Sequence, residues 1–144
     1  MPSKIVSFFH PSVVGGDLAV TTNFTTGNKH AHDLRAGAVP GVAGQRFRER
    51  VEGIHVRVSN VGGTPATKIT MRVCLDAGGD EIVVPDVEAT ISTGVSTATQ
   101  GAVAYSVKLP LYQSESGEIG KLYVFLKADA ACTVNQTTVT WTET

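Results

Sequence analysis

The chain has 144 residues, of which 42% are hydrophobic and only 17% charged, with a formal net charge of -1. That length suits one domain with a core of its own, while the balanced charge argues against nucleic acid as main partner, because phosphate binding needs a clear excess of Lys and Arg. Two cysteines, Cys74 and Cys132, are too few for a disulfide framework and read as buried thiols, and no apolar run approaches the roughly 18 residues that cross a membrane.

Residues 1–16 hold a short apolar run, Ile5 to Phe9, closed by Pro11 and Gly15-Gly16. It reads as a first edge strand or as an arm that docks on another subunit, and it is too short for the apolar core of a secretory signal. The protein is therefore expected to be made in a cytoplasm and to stay soluble or be assembled there. Residues 17–144 read as a single domain. Leu18, Val20, Thr22 and Phe24 alternate with polar or small residues, as a strand does. Residues 26–45 are Gly-rich with little periodicity and read as a long interactive loop. Phe47, Glu49 and Val51 then share one face and Arg46, Arg48 and Arg50 the other. At Glu52-Gly53 the alternation slips by one residue, which predicts a β-bulge.

From Ile54 to Leu75 the pattern predicts one long antiparallel hairpin. Ile54, Val56 and Val58 alternate with polar residues, a Gly-Gly-Thr-Pro turn follows, and Ile69, Met71, Val73 and Leu75 alternate again. Asp76 to Asp80 is turn material, and a short strand from Glu81 ends at Pro85. Val87, Ala89 and Ile91 alternate weakly before a Ser/Thr/Gly loop at 92–101. Val103, Tyr105, Val107, Leu109 and Leu111 form another clean strand. Leu122 to Leu126 is apolar on both faces, which predicts a central strand covered on both sides. Val134, Val139 and Trp141 mark the last strand. About eight short strands and no amphipathic helical window predict an all-β fold, an antiparallel β-sandwich of jelly-roll or immunoglobulin-like type.

The candidate sites are few. In a strand His30 and His32 would point the same way and, with Asp33, could hold a zinc-like ion. No third His or Cys lies at a telling distance, and the competing reading is a solvated or interface loop, so no metal or cofactor is expected. Asp76, Asp80, Glu81, Asp86 and Glu88 could gather calcium but lack EF-hand regularity and are also ordinary turn residues. Arg46, Arg48 and Arg50, with Arg57, form a basic stripe that suits the acidic rim of a protein partner, or simply the wet face of an edge strand. No aromatic residue interleaves on it, which leaves single-stranded nucleic-acid binding unsupported. Gly-x-Ser-x-Gly and the phosphate-loop pattern are both absent, so no enzyme is expected. Tyr105, Tyr112, Tyr123 and Trp141 could stack on a sugar. However, Tyr105 shares its face with Val103 and Val107, and Trp141 with Val139, which points to core or interface.

Two stretches resemble known families. VRVSNVGGTPATKITMRV, residues 56–73, resembles the strand-turn-strand of small immunoglobulin-like adhesion modules. KLYVFLKADAACTVNQTTVTW, residues 121–141, is similar to the closing hairpin of bacteriophage decoration or cement proteins, which are jelly-roll-like. The Gly/Ala-rich N-terminal segment and the Thr/Val/Gly-rich strands fit the same plan. That resemblance implies a virion structural protein on the capsid surface, often a homotrimer, bridging neighbouring subunits of the major capsid protein. Ile5, Val6, Phe8 and Phe9 would then anchor the arm, since aromatic residues dominate interface energetics, and Arg46, Arg48 and Arg50 would add partner contacts. The alternative is a carbohydrate- or host-binding β-sandwich module of a tail or surface appendage.

Overall fold

The computed structural model describes residues 8–34, 50–60, 66–93, 100–110 and 120–143, and among these there is no helix. The described residues form ten strands: β1 Phe8–Val20, β2 Lys29–Asp33, β3 Arg50–Asn60, β4 Lys68–Cys74, β5 Ile82–Thr90, β6 Ser92–Thr93, β7 Gln100–Tyr105, β8 Leu109–Pro110, β9 Lys121–Ala128 and β10 Cys132–Glu143. They form two antiparallel sheets. One runs β1-β10-β3-β7-β6, with β8 also on β3; the other runs β2-β9-β4-β5.

The topology is that of a ribbon folded at the β4–β5 turn. Its two arms pair β4 with β5, β3 with β7, β2 with β9 and β1 with β10. The ribbon is then rolled so that β10 also meets β3 and β9 also meets β4. A ribbon wound this way is a jelly roll, which decides between the two sandwich types open at the level of sequence.

The rolling corrects the expected Ile54–Leu75 hairpin. β3 and β4 lie in different sheets, and Ile54, Val56 and Val58 face Ile69, Met71 and Val73 across the core. The same holds for the expected C-terminal hairpin, since β9 and β10 also belong to opposite sheets. Alternation reports one buried face per strand. It is satisfied equally by strands side by side and by strands face to face. The tight β9–β10 crossing is held by Asp129, whose carboxylate accepts the backbone N–H groups of Thr67 and Lys68 at 2.8 and 3.1 Å and also the Thr67 hydroxyl.

Two further expectations are corrected, since β5 runs through Pro85 to Thr90 and the strand expected from Val103 is broken after Tyr105 into β7 and β8, whereas the bulge and the interior strand are as expected. Gly53 pairs with Thr140 and Val51 with Trp141, leaving Glu52 as the extra residue of a bulge. β9 is an interior strand; Leu122, Val124 and Leu126 are buried, and on its outer face the Phe125 ring packs under Gly79. A Cβ at Gly79 would lie 3.3 Å from that ring, and its φ of +80° favours glycine as well.

The N-terminal segment differs from its expected division. β1 runs unbroken through residues 16 and 17, absorbing Gly15 and Gly16 at a register shift, and ends at Val20. Phe24 is therefore beyond the strand, and its ring lies beneath the Arg72 guanidinium and the Lys127 ammonium at 4.3 and 4.9 Å. The stretch expected as a structureless loop at 26–45 contains β2, while residues 35–45 lie outside the described residues. β2 escapes a hydropathy reading because its inward positions are histidines.

Candidate functional site

Those histidines form the densest polar cluster in the interior. Alternation along Lys29–Asp33 turns His30 and His32 inward, 4% and 1% exposed, while Lys29, Ala31 and Asp33 point the other way. Opposite them stand Ser12 and Gly16 of β1 and the fully buried Thr137 of β10. His30 Nε2 lies 2.7 Å from the Gly16 carbonyl oxygen and His30 Nδ1 lies 2.9 Å from Thr137 Oγ1. His32 Nε2 lies 2.7 Å from the same Thr137 Oγ1, and His32 Nδ1 lies 3.0 Å from Ser12 Oγ.

These four contacts admit one consistent direction for two neutral imidazoles. A carbonyl only accepts, so His30 Nε2–H donates to Gly16 and His30 Nδ1 is an acceptor. Thr137 must then donate its single proton to His30 and accept from His32 Nε2–H. That leaves His32 Nδ1 to accept from the Ser12 hydroxyl. Both nitrogens of His30 and of His32 and the Thr137 hydroxyl are thereby satisfied, as burial requires. Burial, reinforced by the adjacent His30, pushes the His32 pKa down to about 4, although Ser12 opposes the shift. His10, two residues before Ser12, stacks on Trp141 with ring centroids 4.5 Å apart.

The structure thus brings His30 and His32 together but spends their nitrogens on internal hydrogen bonds. Asp33 is exposed on the opposite face of β2, and among the described residues no three His, Cys, Asp or Glu side chains converge as a metal site. The acidic group is likewise occupied locally. Asp76 accepts the backbone N–H groups of Asp80 and Glu81 at 3.1 and 2.8 Å, and Asp86 receives Arg72 in a two-pronged pair at 2.7 and 3.2 Å. These contacts hold both carboxyls below their ordinary range. Cys74 and Cys132 are buried, as expected, and burial pushes both thiols up to about 11.

The expected partner-binding residues are placed only in part. Ile5, Val6, Arg46 and Arg48 lie outside the described residues. Phe8 and Phe9 open β1, opposite Glu143 and Thr142 of β10. Arg50 and Arg57 are exposed along β3. Tyr105 is buried and donates its hydroxyl to the Ile69 carbonyl across the sandwich at 2.6 Å, and Trp141 packs against the core, so neither is a sugar platform.

Two surface features bear on function, the first an edge strand as the sequence allowed and the second not foreseen from it. β1 is the outer strand of its sheet, 13 residues long, and its only Asp, Glu, Lys or Arg is Asp17. Val13 near its middle is 53% exposed. One edge of the other sheet, β5, carries Pro85, Asp86 and Glu88, and β1 carries Pro11 and Asp17, residue types that deter strand addition. On the outer face of the first sheet, Arg57, Ser59, Ser92, Gly101, Ala102 and Asn135 line an open depression of about 590 Å³.

No protein-family model matches the chain, and no curated protein is similar to it in sequence. Among solved structures, a carbohydrate-binding module from a glycoside hydrolase family 9 protein of Ruminococcus flavefaciens is similar at 13% identity and a TM-score of 0.49, over 93% of this chain and 98% of that one. The Kashmir bee virus empty particle is similar at 12% identity and a TM-score of 0.41, over 98% and 93%. The Tobacco streak virus coat protein is similar at 9% and 0.34, over 97% and 89%. At these values no residue's role is carried over from any of them.

Proposed function

We propose that this jelly roll is a virion structural protein that decorates a bacteriophage capsid, bridging neighbouring subunits of the major capsid protein as a homotrimer on the particle surface. It acts by burial of surface, with no reaction performed. The observation that carries this reading is β1, a long sheet edge among the described strands, whose only Asp, Glu, Lys or Arg is Asp17 and whose Val13 is exposed near its middle. A sheet edge offers backbone donors and acceptors to a neighbouring chain, here interrupted at Pro11 and at the register shift between Gly15 and Leu18. A lattice of identical sites makes modest contact area per copy sufficient when the copies also pair with each other. Among the described residues, both imidazoles of β2 are hydrogen-bonded internally and both thiols are buried, which supports a role without chemistry at these groups.

Light scattering on the purified protein tests the assembly. A trimer that falls apart on Val13→Lys supports the reading, because a charge at this edge opposes strand addition. A wild-type monomer that fails to co-sediment with capsids of its own phage overturns it.

The second reading, a carbohydrate-binding module, is favoured by the depression beside Arg57. A glycan array separates the two: saturable binding lost in Arg57→Ala supports the module, and an array without hits counts against it.

A further inference from the structure

The two sheets are joined differently on their two sides. Through the middle they meet by aliphatic side chains, among them Val56, Ile69, Met71, Val73, Leu122 and Leu126. Where the outer strand β1 of one sheet lies over the outer strand β2 of the other, they meet by imidazoles, hydroxyls and a carbonyl. Aliphatic contact is indifferent to pH. A chain of neutral imidazoles is not.

We propose that the β1–β2 side is an acid-labile closure, in which proton uptake by the His30–His32 pair parts β1 from β2 while the aliphatic core between β3, β4 and β9 stays packed. The donor and acceptor count shows why. A proton added at His30 Nδ1 turns the acceptor of the Thr137 hydroxyl into a second donor. Thr137 then faces two N–H groups, and its own proton loses its acceptor. A proton added at His32 Nδ1 can be accommodated by Ser12, but it places a cation in a water-poor space beside a second imidazole.

The surroundings supply no compensating charge. β1 contributes His10 on the same inner face, and its Asp17 lies beyond Gly16 on the exposed side, hydrogen-bonded by Asn135. Lys29 and Asp33 of β2 point outward. β9 turns Leu122, Val124 and Leu126 inward and Lys121, Tyr123 and Lys127 outward, while β10 contributes Val134, Val139 and Trp141 beside Thr137. Among the described residues, no carboxylate faces either imidazole.

The sign follows from the direction of the His32 shift. Its ordinary value of 6.5 falls to about 4 in the fold, so between these values the unfolded chain holds a proton that the folded one does not. Stability is fully present above 6.5 and is lost as pH falls toward 4, by roughly two orders of magnitude in the folding equilibrium constant. Asp76, Asp86 and Asp129, ordinarily at 3.8, and Glu52, ordinarily at 4.5, are also held low, and their losses overlap the acid end of this window; a histidine variant that keeps all four carboxyls therefore isolates the imidazole share.

Urea unfolding of the full chain from pH 7.5 to 4.5 tests the closure against the double variant His30→Gln/His32→Gln. The wild type should lose stability progressively below pH 6.5, and the variant should show a much flatter profile. Equal pH dependence in the two proteins overturns the proposal. Should the variant not fold, wild-type measurements decide. Nitrogen NMR should find both imidazoles as Nε2–H tautomers at pH 7.5. Hydrogen exchange at pH 5 should show β1 and β2 amides losing protection before β3, β4 and β9. An imidazole already charged at pH 6.5 with β1 still protected, or uniform loss of protection, overturns it.

Discussion

Gly101 is the position where one added carbon tests the packing most directly. It sits on β7 where β6 and the preceding Ile91 press against the sheet. A Cβ built there would lie 2.3 Å from Ile91 Cγ2 and 3.1 Å from the Ser92 carbonyl oxygen. The normal separation of two non-bonded carbons is about 3.5–4.0 Å, so more than 1 Å must be found by moving a buried, β-branched side chain or the β6 backbone. Ile91 has few rotamers to retreat into, and overpacking of this kind costs about 1–3 kcal/mol. Gly27 provides the control: a Cβ there meets nothing within 4 Å, and Gly→Ala at a compatible position stabilises by about 0.4–1 kcal/mol through the unfolded chain. Urea unfolding can be followed by the fluorescence of Trp141, the single tryptophan. With a slope of about 1–3 kcal/mol per molar urea, Gly101→Ala should lower the midpoint by roughly 1 M. Gly27→Ala should leave the midpoint equal or slightly raised. A Gly101→Ala midpoint equal to wild type would refute the close approach of β6 to β7.

Tyr105→Phe removes an inter-sheet hydrogen bond from a buried carbonyl and should cost about 1–2 kcal/mol in the same assay, with the β-rich circular dichroism unchanged. An unshifted midpoint would mean that the Ile69 carbonyl is satisfied without the phenol. Cys74 and Cys132, buried with thiols pushed up to about 11, should react with a thiol reagent at pH 8 only as fast as the protein opens. Rapid labelling of the native protein would contradict their burial.

Much of the fold was legible from single strands. The bulge at Glu52, the inward faces of β3, β4 and β7, the buried cysteines and the interior position of β9 in its sheet all follow from side-chain alternation and composition. These are properties of one strand against whatever covers it. The candidate site was legible in one respect only: the His-Ala-His spacing correctly implied two imidazoles on one face. It did not reveal what that face looks onto, because Ser12 and Gly16 lie at least 14 residues away and Thr137 over 100.

By itself, then, the sequence determined the all-β type and, where the inward residues are apolar, which of them turn inward, since these depend on neighbours two residues apart. Only the tertiary structure decided which strands are partners. Rolling a ribbon into a jelly roll pairs β1 with β10 at opposite ends of the chain and sets β3 across from β4, and no local pattern distinguishes a strand alongside from a strand opposite. The histidines show the physical reason most clearly. Whether an imidazole pair binds a metal, meets solvent or closes an interior seam depends on the acceptors and donors that distant strands bring within 3 Å.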